Sequence, residues 1–269
     1  MNKETRDLLF DQAKQWILEA GATIRRKIND PITIQTKSNA NDLVTTMDKE
    51  TEQFFVGKIK SKYPSHYLFS EEGFGDKLSS LEGTVWIIDP IDGTMNFVHQ
   101  KRHFAISVGI YQDGIGEIGF IYDVMADILY SAKKGEGAMK NGAKLPPLKT
   151  DLTLQESIVG MNHYWLCKNN LVKETAMQEL VKQVRGTRTY GSAALEFAYV
   201  AEGIIDCYLA MKLSPWDIAA GKIIVHEVGG ITTNISGNEF TMLDSDAVLT
   251  CHPAIHESIL SEFLIKGKK

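Results

Sequence analysis

From about Lys3 to Asn29 apolar residues recur at helical spacing. Leu9, Ala13, Trp16, Ile17, Ala20, Ile24 and Ile28 share one face, and Pro31 ends the run. The spacing predicts one long core-facing helix with no visible chemistry. Ile32 to Lys37 alternates as a strand does. A second helix is predicted after Asn41-Asp42-Leu43-Val44-Thr45. Its N-cap is Thr46, Phe54, Phe55 and Ile59 face inward, and Pro64 marks its end. Tyr67-Leu68-Phe69 reads as a short strand ending on Glu71-Glu72-Gly73. Val85, Trp86, Ile87 and Ile88 form an unbroken apolar run, suited to a strand buried on both faces. Pro90 has no N–H to donate, so the chain is expected to leave the sheet there.

Beyond that point the runs shorten. Phe104–Tyr111, Ile115–Tyr122 and Ile128–Ala132 are strand-like, and Asp113-Gly114, Met125-Ala126-Asp127 and Asn141-Gly142 separate or follow them. This predicts an antiparallel meander with tight turns. Pro146-Pro147 marks a lobe boundary, giving an α+β lobe over 1–146 and an α/β lobe over 147–269. In the second lobe, strands are predicted at Ser157–Met161, Asp206–Met211 and Ala247–Cys251. Helices are predicted at Asn169–Val184, from Gly191-Ser192 to about Glu202, at Asp217–Val228 and at Pro253–Ile265. Gly73 to Gly83 is a polar, glycine-rich loop able to move over a site.

Composition narrows the function classes. The chain has 269 residues and a formal net charge of −5, which argues against general nucleic-acid binding. The dense basic cluster Arg25-Arg26-Lys27 lies on the first helix and reads as a solvated face. Cys167, Cys207 and Cys251 are scattered, lack zinc spacing and fit a reducing compartment. No apolar h-region follows Met1-Asn2-Lys3-Glu4, and no run approaches the roughly 20 apolar residues of a spanning helix. A cytoplasmic protein without membrane contact is therefore expected. His226 lies on an otherwise apolar helix and is expected to be packed. There is no G-x-S-x-G elbow and no Walker A loop. Gly114 to Gly119 has the letters of a dinucleotide fingerprint but falls in a hairpin.

The chemistry concentrates in acids at strand ends. Asp89 and Asp92 sit at the mouth of a buried strand, where two carboxylates are costly unless a cation compensates them. Gly93-Thr94 follows, and amides at a glycine turn favour an anion. Ligands for a cation beside donors for an anion suit a metal-bound phosphate. The alternative is a plain turn that Asp89 caps and Asp92-Gly93 bends. An EF-hand fits poorly, because the twelfth residue from Asp89 is Gln100 rather than Glu. Glu71 and Glu72 cannot both face one way on an extended chain, so one faces the site and the other solvent. Asp48 has a bland reading as an acid in the first turn of a helix.

Asp89-Pro90-Ile91-Asp92-Gly93-Thr94 resembles the signature of the inositol monophosphatase family, Mg-dependent and lithium-sensitive phosphatases. Three further runs resemble that family in its order: Asp42-Leu43-Val44-Thr45-Thr46-Met47-Asp48, Ser70-Glu71-Glu72-Gly73, and Pro215-Trp216-Asp217-Ile218-Ala219-Ala220-Gly221. The resemblance implies a layered α-β-α-β-α sandwich of the sugar-phosphatase type and a homodimer. It implies hydrolysis of inositol monophosphate or related polyol and sugar phosphates, with two or three Mg²⁺ per site. Glu71, Asp89 and the Ile91 carbonyl would hold one ion. Asp89, bridging, would join Asp92 and Asp217 around a second, roughly 3.5–4 Å away. Asp48 and Thr94 would orient and deprotonate the attacking water, with Glu71 beside them. The Gly93 and Thr94 amides would hold the phosphate. Asp92 with Gly191, Ser192 and Ala193 would meet the alcohol.

One departure bears on substrate. Animal members carry a Glu in Y-Y-E-M-G that accepts from inositol hydroxyls, and here Tyr208-Leu209-Ala210-Met211-Lys212 places Ala210 there. Alanine offers no acceptor, so a wider substrate range is expected, with fructose 1,6-bisphosphate or NADP as the alternative. A silent binding protein on the same fold is a further alternative, set against the complete carboxylate set.

Overall fold

The first apolar stripe folds as α1 (Lys3–Lys27), with the Asn2 side chain accepting from Thr5 N at 2.8 Å as its cap. The structure, a computed structural model, describes residues 1–31, 33–36, 43–149 and 151–268. Asp42 of the upstream acidic run, and the ends of the expected Ile32–Lys37 strand, lie outside the described residues. After α1 come β1 (Ile34–Thr36), β2 (Leu43–Thr45), α2 (Thr46–Lys62), β3 (Tyr67–Ser70), β4 (Thr84–Asp92) and α3 (Thr94–Gln100). A run of strands follows: β5 (Ala105–Gln112), β6 (Ile115–Asp123), β7 (Ile128–Lys133), β8 (Gly137–Lys140) and β9 (Ala143–Lys144). The rest is β10 (Ile158–Met161), α4 (Glu174–Gln183), β11 (Gly186–Arg188), α5 (Ala193–Glu202), β12 (Cys207–Leu213), α6 (Pro215–His226), β13 (Ile231–Asn234), β14 (Asp246–Cys251) and α7 (Pro253–Ser258). A π-helical stretch, Ile259–Ile265, closes the chain.

The strands make two large sheets. One has the order β3-β4-β5-β6-β7-β8-β9 and is antiparallel except for the β3–β4 pair. The other has the order β11-β10-β12-β14-β13 and is mixed. Three apolar clusters define the layers. Leu9, Trp16, Ile17 and Ile24 of α1, with Phe55 and Ile59 of α2, cover one face of the larger sheet. The apolar residues of α5 and α6 fill the space between the sheets. A third cluster joins the outer face of the smaller sheet to Met177 and Leu180 of α4 and to Ile255, Ile259 and Phe263. The expected α-β-α-β-α sandwich is thus observed. It explains why α5 and α6 are apolar nearly all round: a helix between two sheets has no solvent side.

Small residues set the depth of α6. A Cβ on Gly109 of β5 would meet Ala219 Cβ at 2.8 Å, and one on Gly119 of β6 would meet the Ala220 carbonyl oxygen at 2.7 Å. The helix backbone therefore lies directly on the sheet. That contact fixes Asp217, in the first turn of α6, above the end of β4.

The meander forms as expected. Asp113-Gly114 and Asn141-Gly142 are two-residue hairpin loops with positive φ at both positions, as a type I′ turn requires. Other expectations need correction. The cap of α2 is Thr45 rather than Thr46, because Thr45 and Asp48 form a reciprocal capping box. β4 does not end at Pro90: a register shift between Asp89 and Asp92 absorbs the missing donor, and pairing with β5 resumes at Asp92. α4 starts at Glu174 instead of Asn169. The Asn169 side chain accepts from the amides of Leu171 and Val172 at 2.9 and 3.0 Å, a local turn that competes with helix. β11 and β13, three and four residues long, carry no alternation to announce them. His226 is exposed rather than packed. Among the described residues no helix is long and apolar enough to cross a membrane.

Candidate active site

Three helix N-termini, those of α2, α5 and α6, bring their first turns to the end of β4. Asp48 is the third residue of α2 and Asp217 the third of α6, each returning a bond to its cap. Thr45 N donates to Asp48 Oδ2 at 2.8 Å, and Ser214 N donates to Asp217 Oδ2 at 2.7 Å. An acid at that position satisfies an orphan amide and the helix dipole together. The same local rule therefore aims both acids at one place.

Asp89, Asp92 and Asp217 each offer a carboxylate oxygen, and these oxygens all lie within 4.8 Å of one another. Asp89 and Asp92 are buried, and Asp217 is half-buried. Glu71 is hydrogen-bonded to Asp89 and acts electrostatically on Asp92, Asp217 and Asp48. It is therefore the member of the Glu71-Glu72 pair that faces the acids. Ile91 N donates to Asp89 Oδ1 at 2.9 Å, and the Ile91 carbonyl oxygen lies 3.2 Å from Thr94 Oγ1, whose single hydrogen has Asp48 Oδ1 as its alternative acceptor.

Burial pushes Asp89 well above the usual carboxylate range, reinforced by the charges of Glu71, Asp92 and Asp217. Asp217 is shifted the same way by burial and by Asp92, against the bond from Ser214. Asp92 is raised to about 6 by burial, while the Ser192 hydroxyl and Ala194 amide oppose the shift. Among the described residues no lysine, arginine or histidine pairs with Asp89, Asp92 or Asp217. Two like charges about 4 Å apart repel by about 4 kcal/mol at an effective dielectric of 20. Three such pairs come to about 12 kcal/mol. That is of the same order as the five hydrogen bonds donated to these carboxylates, at about 1.5–3 kcal/mol each, so the cost of burying the charges is left uncompensated. The cluster is therefore built for a divalent cation. The donor set is all oxygen, which suits Mg²⁺.

Asp92 is locked to the second half of the chain. Ser192 Oγ donates to its Oδ2, Ala194 N donates to Oδ2 at 2.9 Å, and Ala193 N donates to Oδ1 at 3.2 Å. Ser192 Oγ also accepts from Leu195 N at 3.3 Å and so caps α5. Gly93 has φ +90°, and a Cβ there would meet Ser192 Cβ at 3.1 Å and the Gly191 carbonyl oxygen at 3.2 Å. Only glycine fits that approach. On the other side, Thr94 Oγ1 lies 3.2 Å from Asp48 Oδ1. Asp48 is fully buried, and burial raises its pKa against the two bonds from Thr45.

The structure thus brings together Asp48, Glu71, Asp89, Ile91, Asp92, Gly93, Thr94, Gly191, Ser192, Ala193 and Asp217. Ala210 adds no polar group to that network, but it packs in the same apolar cluster as Ala193, Ala194 and Ile218, beside Ser192 and Asp217. It is buried on β12 in the apolar cluster between the sheets, ahead of a register shift, and Lys212 is exposed. Two residues escaped the sequence reading. Glu52, on the inward face of α2, accepts from the 70–74 turn. Glu196, in the first turn of α5, accepts from Tyr190 N at 3.0 Å and Gly191 N at 3.4 Å. Neither carries a distinguishing local signal; Glu52 shares its buried face with Asp48 and Thr51.

Comparisons agree with this geometry. The sequence profile described as the inositol monophosphatase family matches residues 6–267. Inositol-1-monophosphatase of Bacillus subtilis (strain 168) is 54% identical over 252 residues, covering 94% of this chain and 95% of that protein. Among solved structures, SaIMPase-II with inositol monophosphate bound matches with a TM-score of 0.86 at 41% identity, covering 96% of this chain and 94% of that one. The 2′AMP-bound form of SaIMPase-II matches with a TM-score of 0.88 at 42% identity, covering 96% and 95%. An IMPase/NADP phosphatase complexed with Mg²⁺ and phosphate matches with a TM-score of 0.88 at 27% identity, covering 95% of each chain.

Proposed function

The chain belongs to the inositol monophosphatase family and hydrolyses phosphate monoesters, and from that premise we propose how its own residues do so. The family is Mg-dependent. Glu71, Asp89 and the Ile91 carbonyl would hold one Mg²⁺, and Asp89, Asp92 and Asp217 a second. What Mg²⁺ supplies when bound is neutralisation of phosphoryl charge and acidification of water. The observation that carries this reading is the cluster of Asp89, Asp92 and Asp217 oxygens within 4.8 Å, with no basic partner among the described residues.

Asp48 and Thr94 handle the proton. Thr94 Oγ1 gives its hydrogen to Asp48 Oδ1 at 3.2 Å, which leaves its lone pairs free to accept from a water. Burial raises Asp48 and makes it the better base for that relay. The Gly93 and Thr94 amides hold the phosphate, and Asp92 with Gly191, Ser192 and Ala193 meets the alcohol. The site lies where the two lobes, 1–146 and 147–269, meet. We read the working form as a homodimer in the cytoplasm with two or three Mg²⁺ per site. The free thiols of Cys167, Cys207 and Cys251 support a reducing compartment.

The substrate class is small polyol and sugar phosphates, inositol monophosphate among them. Ala210 favours a wider range. SaIMPase-II is described with both inositol monophosphate and 2′AMP bound, which supports the same breadth here. The test is phosphate release from a panel of inositol 1-phosphate, 2′-AMP, fructose 1,6-bisphosphate and NADP, with and without Mg²⁺. Release from at least two chemical classes, only with Mg²⁺, is expected. Release from inositol 1-phosphate alone would restrict the range, and equal release without Mg²⁺ would remove the metal reading.

A further inference from the structure

We infer that Glu52 is a positioning residue that sets the Mg²⁺ affinity of the site by holding the turn that presents Glu71. This rests on the metal reading above. Glu52 stands four residues after Asp48 on α2, so the two carboxylates leave the same face of one helix. Asp48 reaches Thr94, and Glu52 reaches the end of β3. Its Oε1 accepts from Ser70 Oγ at 2.7 Å and from Phe74 N at 2.7 Å, and its Oε2 accepts from Glu72 N at 2.6 Å. Glu52 is fully buried and Ser70 nearly so. Three short bonds to one carboxylate that is itself fully buried restrain this turn strongly.

The partners matter more than their number. Ser70 and Glu72 are the two neighbours of Glu71, and both are tied to the same carboxylate. Phe74 lies across Gly73, whose φ of +81° turns the chain back. The backbone of Glu71 is therefore fixed on both sides, and its side chain is left facing Asp89. β3 is short and lies at the edge of its sheet, paired among the described residues with β4 alone. Lys60 of α2 bonds Asp76, which ties back to Leu68 at the base of the loop, but among the described residues Glu52 is the α2 side chain that bonds Ser70, Glu72 and Phe74 around Glu71 itself. A metal ligand on an edge-strand turn needs such an anchor, because a displacement of about 1 Å costs affinity steeply.

Glu52→Gln keeps the volume but turns an amide donor toward a backbone N–H or the Ser70 hydroxyl. Ser70→Ala removes one of the three bonds and leaves the carboxylate. The experiment is calorimetric titration of Mg²⁺ into wild type, E52Q and S70A, with circular dichroism to check the fold and kcat measured at saturating Mg²⁺. The expected result is a Kd for Mg²⁺ raised about 10–100-fold in E52Q, the range typical of residues that orient metal ligands. S70A should raise it by a smaller factor, and kcat at saturating Mg²⁺ should stay within about threefold of wild type. An unchanged Kd in E52Q overturns the inference, even if thermal stability falls, since that is a purely structural role. If E52Q does not fold, S70A decides alone, and an unchanged Kd there overturns it. Wild type that binds no Mg²⁺ overturns the metal reading itself, which separates the two failures.

Discussion

Asp89 and Asp48 differ in what they touch, and their variants should differ accordingly. Asp89 stands among Glu71, Asp92 and Asp217, and its loss removes the shared member of the proposed ligand set. Asp48 is hydrogen-bonded to Thr45 and Thr94 and stands outside the proposed ligand set. Asp48→Asn should lower kcat by about 10²–10⁴-fold, the usual loss for one acid–base group. Asp89→Asn should lower it further, to background. Phosphate-release assays at saturating Mg²⁺ check the order, and an Asp89→Asn enzyme faster than Asp48→Asn would contradict it. Ala210 gives a second test at this scale. Ala210→Glu should shift kcat/KM toward inositol 1-phosphate and away from fructose 1,6-bisphosphate. A carboxylate about 4 Å from a second phosphate costs about 4 kcal/mol per charge pair at an effective dielectric of 20. An unchanged ratio of the two kcat/KM values would show that position 210 does not govern selectivity. Because Ala210 is buried in the apolar cluster that also holds Tyr208 and the residues of α5 and α6, the variant should also lose stability.

The first turn of α5 joins the two halves of the site, and its stability should depend on pH. Burial raises Glu196 from an ordinary 4.5 to about 7, against the bonds from Tyr190 and Gly191, and raises Asp92 from 3.8 to about 6. For both groups the folded protein binds the proton more tightly than the unfolded chain. Their contribution is therefore full below about pH 4 and is lost as pH rises through about 6 to 7. In EDTA, Tm should fall over that window. Mg²⁺ should restore it most at the upper end, because ligands bind metal when deprotonated. Glu196→Gln should flatten the fall. A Tm independent of pH in EDTA would contradict the assignment. These elements also show where the sequence was legible. The acids of β4 and α6 carry their own signature, and the hairpins are announced by Asp113-Gly114 and Asn141-Gly142. Glu52 and Glu196 were not legible, because a buried glutamate on a helix looks like any surface charge until its partners are known. The passage of β4 through Pro90 was hidden for a similar reason: only the register with β5 reveals the bulge.

At the scale of the molecule, the site is a joint. Gly93 meets Ser192 and the Gly191 carbonyl across it, and Asp92 is held by three donors from α5. Gly93→Ala should strain both sides at once, at about 1–3 kcal/mol for the left-handed backbone alone. A fall in Tm of several degrees with loss of activity is expected, and normal Tm and activity would show that the joint tolerates a side chain. The five-layer order follows from composition: helices apolar on one stripe lie outside, and those apolar all round lie between the sheets. On the proposed function, the buried acids at this joint hold Mg²⁺ for phosphate-ester hydrolysis. The most direct test of that role is the initial rate of phosphate release from inositol 1-phosphate by metal-stripped enzyme as free Mg²⁺ is raised from zero. No turnover in EDTA and a saturable rise on adding Mg²⁺ are expected. Full turnover in EDTA would contradict that role.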